Sequence, residues 1–133
     1  MNIVLRKKTT SVSMVNFHIV ICPRYRRKLF LCDGVERRFK ELVSIICEQN
    51  DYVLLALECD KDHVHLFVNV PPDISAADVV RIVKTNTSRI LRQEFKELCT
   101  TSSQLWTRSY FVSTAGNVSA DTIQRYIETQ KLR

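Results

Sequence analysis

A chain of 133 residues, 45% hydrophobic and 26% charged, has apolar material for one core and too little for two ordinary domains. No apolar run approaches the roughly 18 to 20 residues of a membrane span, and residues 1–10 hold no stretch of signal-peptide length, so no membrane partner and a cytoplasmic location are expected. The net charge of +6 is concentrated: residues 1–40 hold ten Lys and Arg against two acids, a local +8 that suits a phosphate-rich partner.

In chain order, the alternation Val15, Phe17, Ile19, Ile21 predicts a strand over 14–22, closed by Pro23. Asp33 with Glu36 three residues on reads as a helix cap, and Val35, Phe39, Leu42, Val43 and Ile46 recur at helical spacing to about Asn50. Residues 52–59 and 63–70 read as a hairpin with a polar turn over 58–62, stopped by Pro71 and Pro72. Ser75 with Asp78 signals a second capped helix running through Leu98, which buries Val79, Val83, Ile90, Leu91 and Phe95. A last strand is expected over 105–114. Ser119 then caps a final helix through Ile123, Tyr126, Ile127 and Gln130.

This order, strand, helix, hairpin, helix, strand and one extra helix, is an α+β plan: the ferredoxin-like (RRM-like) βαββαβ antiparallel sheet with both main helices on one face. We expect a single domain over 1–133, in which 117–133 is a helical arm. That helix is short for independent stability and follows Gly116, the only glycine after Gly34, so Gly116 is the expected hinge. The cysteines Cys22, Cys32, Cys47, Cys59 and Cys99 are odd in number, dispersed and without a CxxC pair, and are expected as buried reduced thiols.

The fold hosts many activities, so function must come from what faces outward. In the second hairpin strand, alternation puts Val64, Leu66, Val68 and Val70 toward the helices and His63, His65, Phe67 and Asn69 on the open face. Two imidazoles side by side there have the spacing that chelating arms on a strand require, although a bare His-x-His pair is more often structural, and a catalytic site needs at least a third protein donor. Asp60 and Asp62 lie near in sequence, though Asp62 is expected to point away from His63. The better candidate is Gln130, which shares a helical face with Tyr126 four residues earlier.

At this point the chain resembles a known group. The run Asp62-His63-Val64-His65-Leu66-Phe67-Val68 resembles the histidine, hydrophobic, histidine motif of the HUH nucleases. The whole chain is similar to the TnpA-like single-tyrosine transposases of the smallest prokaryotic insertion sequences. Three further stretches carry that likeness: 22–28 (Cys-Pro-Arg-Tyr-Arg-Arg-Lys), 105–111 (Leu-Trp-Thr-Arg-Ser-Tyr-Phe) and 126–130 (Tyr-Ile-Glu-Thr-Gln). The chain departs from the pattern at Ile21, where Trp is usual, and at Thr85 and Ser113, near which glycine is usual.

The resemblance implies His63, His65 and Gln130 as ligands of Mg²⁺ or Mn²⁺, with no nucleotide cofactor, and Tyr126 as the nucleophile. It implies metal-dependent single-stranded DNA cleavage and strand transfer through a covalent 5′-phosphotyrosine, with recognition of hairpins at the element ends. It also implies a homodimer in which one subunit's tyrosine helix can complete the other's histidine site. An ordinary phenol has a pKa near 10, so Tyr126 would need activation.

For DNA contacts the basic run Arg24, Tyr25, Arg26, Arg27, Lys28 offers charge with an aromatic among it. Arg81, Lys84 and Arg92 share a polar face of the second long helix, and Arg108 lies in the last strand. The chief rival is a non-catalytic ferredoxin-like module that binds single-stranded nucleic acid, although the strands lack the paired aromatics of an RNA recognition motif. A small metal-binding regulator would explain the histidines but not the basic segment. Both leave Tyr126 with Gln130 unexplained.

Overall fold

A computed structural model describes residues 4–99, 104–114 and 127–129. The readings that fall on Gly116, Ser119, Ile123, Tyr126 and Gln130 lie outside those residues. The strands are β1 (Arg6–Lys7), β2 (Val12–Ser13), β3 (Val15–Ile21), β4 (Val53–Asp60), β5 (His63–Val70) and β6 (Phe111–Ser113), and the helices are α1 (Val35–Gln49) and α2 (Ala76–Glu94). The main sheet has the order β4-β5-β3-β6, antiparallel throughout, as the ferredoxin-like plan requires. Among the described residues no helix is long and apolar enough to cross a membrane.

The two-residue period of the strands builds the core. Phe17, Ile19 and Ile21 of β3 and Val64, Leu66, Val68 and Val70 of β5 are buried together with Val35, Phe39, Val43 and Ile46 of α1 and Val79, Val83 and Leu91 of α2. Each such side chain contributes about 1.5–3 kcal/mol on full burial. The register Ile19↔Leu66 and Ile21↔Val64 keeps these residues on one face and leaves His63, His65 and Phe67 on the other.

Several boundaries differ from the sequence expectation. Helix α1 starts from Gly34 in a left-handed conformation (φ 83°), with no side-chain cap, rather than from Asp33. Before it, a 3-10 turn at Leu29–Leu31 buries Leu29 and Phe30, and Gly34 makes the reversal that leads into the helix. A Cβ there would lie 3.4 Å from the ring of Phe95. Glu36 pairs with Lys40 instead of capping. For α2 the capping box forms as expected, with Asp78 N donating to Ser75 Oγ and Ser75 N donating to Asp78 Oδ2. That helix stops at Glu94, short of Leu98. Phe95 turns extended (φ −120°, ψ 97°), its ring lies over Gly34, and a 3-10 turn at Lys96–Leu98 buries Leu98.

The expected strand over 105–114 is interrupted. Trp106 bridges Pro23, the chain then leaves the sheet, and only Phe111–Ser113 pairs with β3. The cause is Lys84, whose ammonium takes the carbonyls of Thr107 at 2.6 Å and Ser109 at 2.8 Å and so turns them toward α2. A small hairpin, β1–β2, was not expected. Arg6 pins it, donating to Asn69 Oδ1 (2.7 Å) and to the carbonyls of Asn69 and Asp51. Asn69 is consequently fully buried. All five cysteines are free, but only Cys22 and Cys47 are buried; Cys32 and Cys59 are half-buried and Cys99 is exposed.

Trp106 locks the 104–108 segment onto the core. Its ring lies 5.4 Å from that of Phe39, and its Nε1–H donates at 2.9 Å to Thr87 Oγ1, which itself donates to the Val83 carbonyl. The isosteric change Thr87→Val leaves the buried indole N–H without an acceptor. It is expected to lower unfolding stability by about 1–3 kcal/mol in urea titrations, with an unchanged slope.

Candidate active site on the open sheet face

Strand β5 carries His63 and His65 onto the open face, with ring centroids 5.0 Å apart and nearly perpendicular. Asp62 precedes them in the tight turn after β4, where strand alternation does not apply. Its buried carboxylate faces His63 rather than away from it, with Oδ1 3.0 Å from Nδ1. The other oxygen, Oδ2, accepts from Arg26 Nε at 3.1 Å and Nη2 at 2.9 Å. Burial pushes the Asp62 carboxyl up, but the hydrogen bonds from His63 and Arg26 outweigh it and hold the group below its usual range. Asp60 is farther off, its Oδ2 3.9 Å from His63 Nε2.

Sequence reasoning missed His18. It belongs to the polar phase of β3, opposite Phe17 and Ile19, so alternation alone puts it on the open face. There its Nε2 meets His65 Nδ1 at 3.2 Å and its ring stacks on His65 with centroids 5.4 Å apart. Burial lowers the pKa of both His18 and His65, and for His65 the neighbouring His63 and His18 lower it further. Neutral imidazole is the form that binds metal. His63 and His65 are a fitting donor pair, one short of the three a catalytic metal needs. Among the described residues no group of three or more His, Cys, Asp or Glu could hold an ion.

The two ends of the open face are covered. Arg6 and Asn69 close the end near β1. At the other, Ile127, in a short helical stretch over 127–129, is buried with Val20 and Cys22, and Phe111 packs beside it. Val20 is the cross-strand partner of His65, so this apolar seat adjoins the histidines. Ile127 follows Tyr126 and precedes Gln130 by three residues, but those two side chains lie outside the described residues.

The profile of the family described as "Transposase IS200 like" matches residues 11–130, nearly the whole chain. The chain belongs to the IS200-like transposase family. It is 33% identical over 117 residues to the transposase of insertion sequence element IS200 from Salmonella typhimurium strain LT2, covering 86% of this chain and 75% of that protein. It is 27% identical over 128 residues to the ISDra2 transposase TnpA of Deinococcus radiodurans, covering 95% and 91%. A crystal structure of a candidate transposase from Deinococcus radiodurans R1 superposes with a TM-score of 0.85 at 31% identity, covering 94% and 97%. A REP-associated tyrosine transposase bound to a REP hairpin shares the fold, with a TM-score of 0.61 at 10% identity and coverage of 92% and 68%. Membership makes this protein an insertion-sequence transposase, of a class that cuts and rejoins DNA.

The transposase divides its basic residues between two tasks. Arg24 lies over the Tyr25 ring at 5.3 Å and reaches Gln104 at 3.4 Å, while Tyr25 and Lys28 are exposed and Arg27 is half-buried. Arg26 turns inward to Asp62, and Lys84 turns inward to two carbonyls, where burial pushes its amine down to about 8. Lys84, Arg92 and Arg108 line a cleft of about 530 Å³ between α2 and the 104–108 segment, joined by Arg89, which the sequence reading did not single out. Arg81 lies outside it, exposed and paired with Asp78 at 3.1 Å.

Both depressed histidines protonate more readily in the unfolded chain, from about 6.5 downward, than in the fold. Their contribution to stability is therefore complete above that value and is lost as pH falls through it. The urea midpoint of metal-free transposase is expected to drop between about pH 7.5 and 5.5, and His18→Phe should flatten the drop.

Proposed function

We propose that this transposase cleaves single-stranded DNA with Tyr126 and transfers the strand, using a divalent cation, Mg²⁺ or Mn²⁺, held by His63, His65 and Gln130. The observation that carries the reading is the pairing of His63 and His65 on the open sheet face, beside the seat of Ile127 from the segment that bears Tyr126. When bound, the cation supplies polarisation of the scissile phosphate and neutralisation of charge in the transition state. The Tyr126 oxygen gives up its proton and attacks phosphorus, the bond from phosphorus to the 3′ oxygen breaks, and that oxygen leaves with the electron pair of the broken bond and takes up a proton from solvent as a 3′-hydroxyl. The resulting 5′-phosphotyrosine conserves the diester energy, so a second 3′-hydroxyl can be joined without ATP.

The substrate is single-stranded DNA carrying hairpins at the element ends, a reading supported by the REP hairpin to which the REP-associated neighbour is bound. Arg24, Tyr25, Arg27 and Lys28 offer one contact surface, and the cleft with Lys84, Arg92 and Arg108 offers another, with Arg81 beyond it. Arg26 borders both the basic loop and the site. The enzyme acts in the cytoplasm as a homodimer, with 117–133 an arm hinged at Gly116. The seat of Ile127 on its own chain's sheet supports docking of that arm in cis, with exchange between subunits as the alternative arrangement.

Purified transposase with Mn²⁺ is expected to form a covalent adduct with hairpin-bearing single-stranded DNA, visible as a denaturant-resistant band shift. Tyr126→Phe should abolish the band. His63→Ala and His65→Ala should reduce it by 100-fold or more, on the order of a lost electrophile, while retaining most DNA binding. Adduct formation by Tyr126→Phe equal to wild type would sink the proposal. Raising salt from about 50 to 200 mM should weaken binding steeply, and Lys28→Ala should lower that slope by about 1.

A further inference from the structure

Each candidate ligand histidine is gripped through its Nδ1 atom, and by a different kind of partner. An ionised carboxylate can only accept, so the 3.0 Å contact between Asp62 Oδ1 and His63 Nδ1 places the ring proton on Nδ1. Asp62 is itself held by two hydrogen bonds from Arg26 to Oδ2, so its orientation is fixed from both sides. Arg26 and its neighbour Tyr25 adopt left-handed backbone angles (φ 50° and 60°), uncommon for residues other than glycine. The strained turn brings the guanidinium from the basic loop back onto Asp62.

His65 is held from strand β3. A hydrogen bond between His65 Nδ1 and His18 Nε2, 3.2 Å apart, needs one ring to donate and the other to accept. If the Nε2 lone pair of His65 goes to a cation, its one ring proton is on Nδ1, and His18 must accept. His18 has a fixed place for this, stacked on His65 and flanked by Phe67 at 5.8 Å.

We propose that Asp62, braced by Arg26, and His18 are positioning residues that hold His63 and His65 as Nδ1–H tautomers, so that both rings present Nε2 to one cation. This rests on the metal-site reading above. It reassigns Arg26 from a plain phosphate contact to a brace, and it makes the two ligands unequal: His63 is polarised by a carboxylate and is the stronger donor, while His65 leans on a neutral ring.

Asp62→Asn tests the grip with little change of shape. Arg26 needs an acceptor, so the new amide turns its oxygen to Arg26 and its NH₂ to His63, which forces the proton of His63 onto Nε2. Imidazole ¹⁵N chemical shifts of metal-free protein at about pH 7.5 should show the Nδ1–H form of His63 in wild type and the Nε2–H form in Asp62→Asn. Mn²⁺ affinity, followed by electron paramagnetic resonance of the free ion, should fall roughly 10- to 100-fold in Asp62→Asn and His18→Phe. His18→Gln, whose amide oxygen can accept from His65, should recover most of the loss. Should Asp62→Asn not fold, the two His18 variants decide: equal Mn²⁺ affinity in wild type, His18→Phe and His18→Gln overturns the inference. Mn²⁺ bound by wild type through His63, yet bound equally well by folded Asp62→Asn and His18→Phe, overturns the inference alone. Mn²⁺ binding to wild type that is absent, or indifferent to His63→Ala, overturns the metal reading and the inference with it.

Discussion

Strand β5 is paired on both sides, to β4 and to β3, and its side chains alternate without interruption between core and open face. Val64, Leu66, Val68 and Val70 are almost completely buried, so the register of this strand is held by several kcal/mol of apolar burial. A slip by one residue would send two imidazoles into the hydrocarbon core and four aliphatic side chains into solvent. The histidine pair is therefore presented by the same interaction that stabilises the fold. That also explains how a chain this small can hold a site on a rigid strand rather than on a loop.

The basic residues follow a similar economy of position. Arg26 and Lys84 look alike in sequence to their neighbours Arg27 and Arg81, yet each turns inward to acceptors of the fold: the Asp62 carboxylate in one case and the carbonyls of Thr107 and Ser109 in the other. Lys84 thereby ties the carbonyls of Thr107 and Ser109 to α2 at the break between the Trp106 bridge and the last strand, and it lines the cleft beside α2. Removing either residue would disturb structure, so a loss of DNA binding in such variants needs a stability measurement beside it.

Much of this was legible from residue patterns. Periods of two and 3.6 located β3, β5, α1 and α2, and the Ser75–Asp78 cap was visible because both halves of the box are encoded within four residues. The split between Val64, Leu66 and Val68 on one side and His63 and His65 on the other followed from alternation alone. What escaped depends on contacts between distant parts of the chain. Gly34 replaces Asp33 at the start of α1 because Phe95 and the preceding turn fix the entry angle. Lys84 interrupts the last strand from 23 residues away. The turn residue Asp62 escapes strand alternation, and the hairpin around Arg6 closes onto Asn69, 63 residues along. His18 is a different kind of omission: the period-two rule places it correctly, but a lone histidine in a mostly apolar strand draws no attention until its neighbour across the sheet is known.

The chain has one tryptophan, and its position gives it an optical use. Trp106 is 3% exposed, held by Thr87 and packed against Phe39, yet its segment forms one wall of the cleft lined by Lys84, Arg92 and Arg108. Its emission therefore comes from a single, well-defined environment. A strand lying in the cleft would alter the field and the quenching around the indole, whereas events confined to the histidines would reach it only through the sheet. The protein thus carries an intrinsic fluorophore that separates occupation of the cleft from events at the histidines of the proposed site, with no label attached.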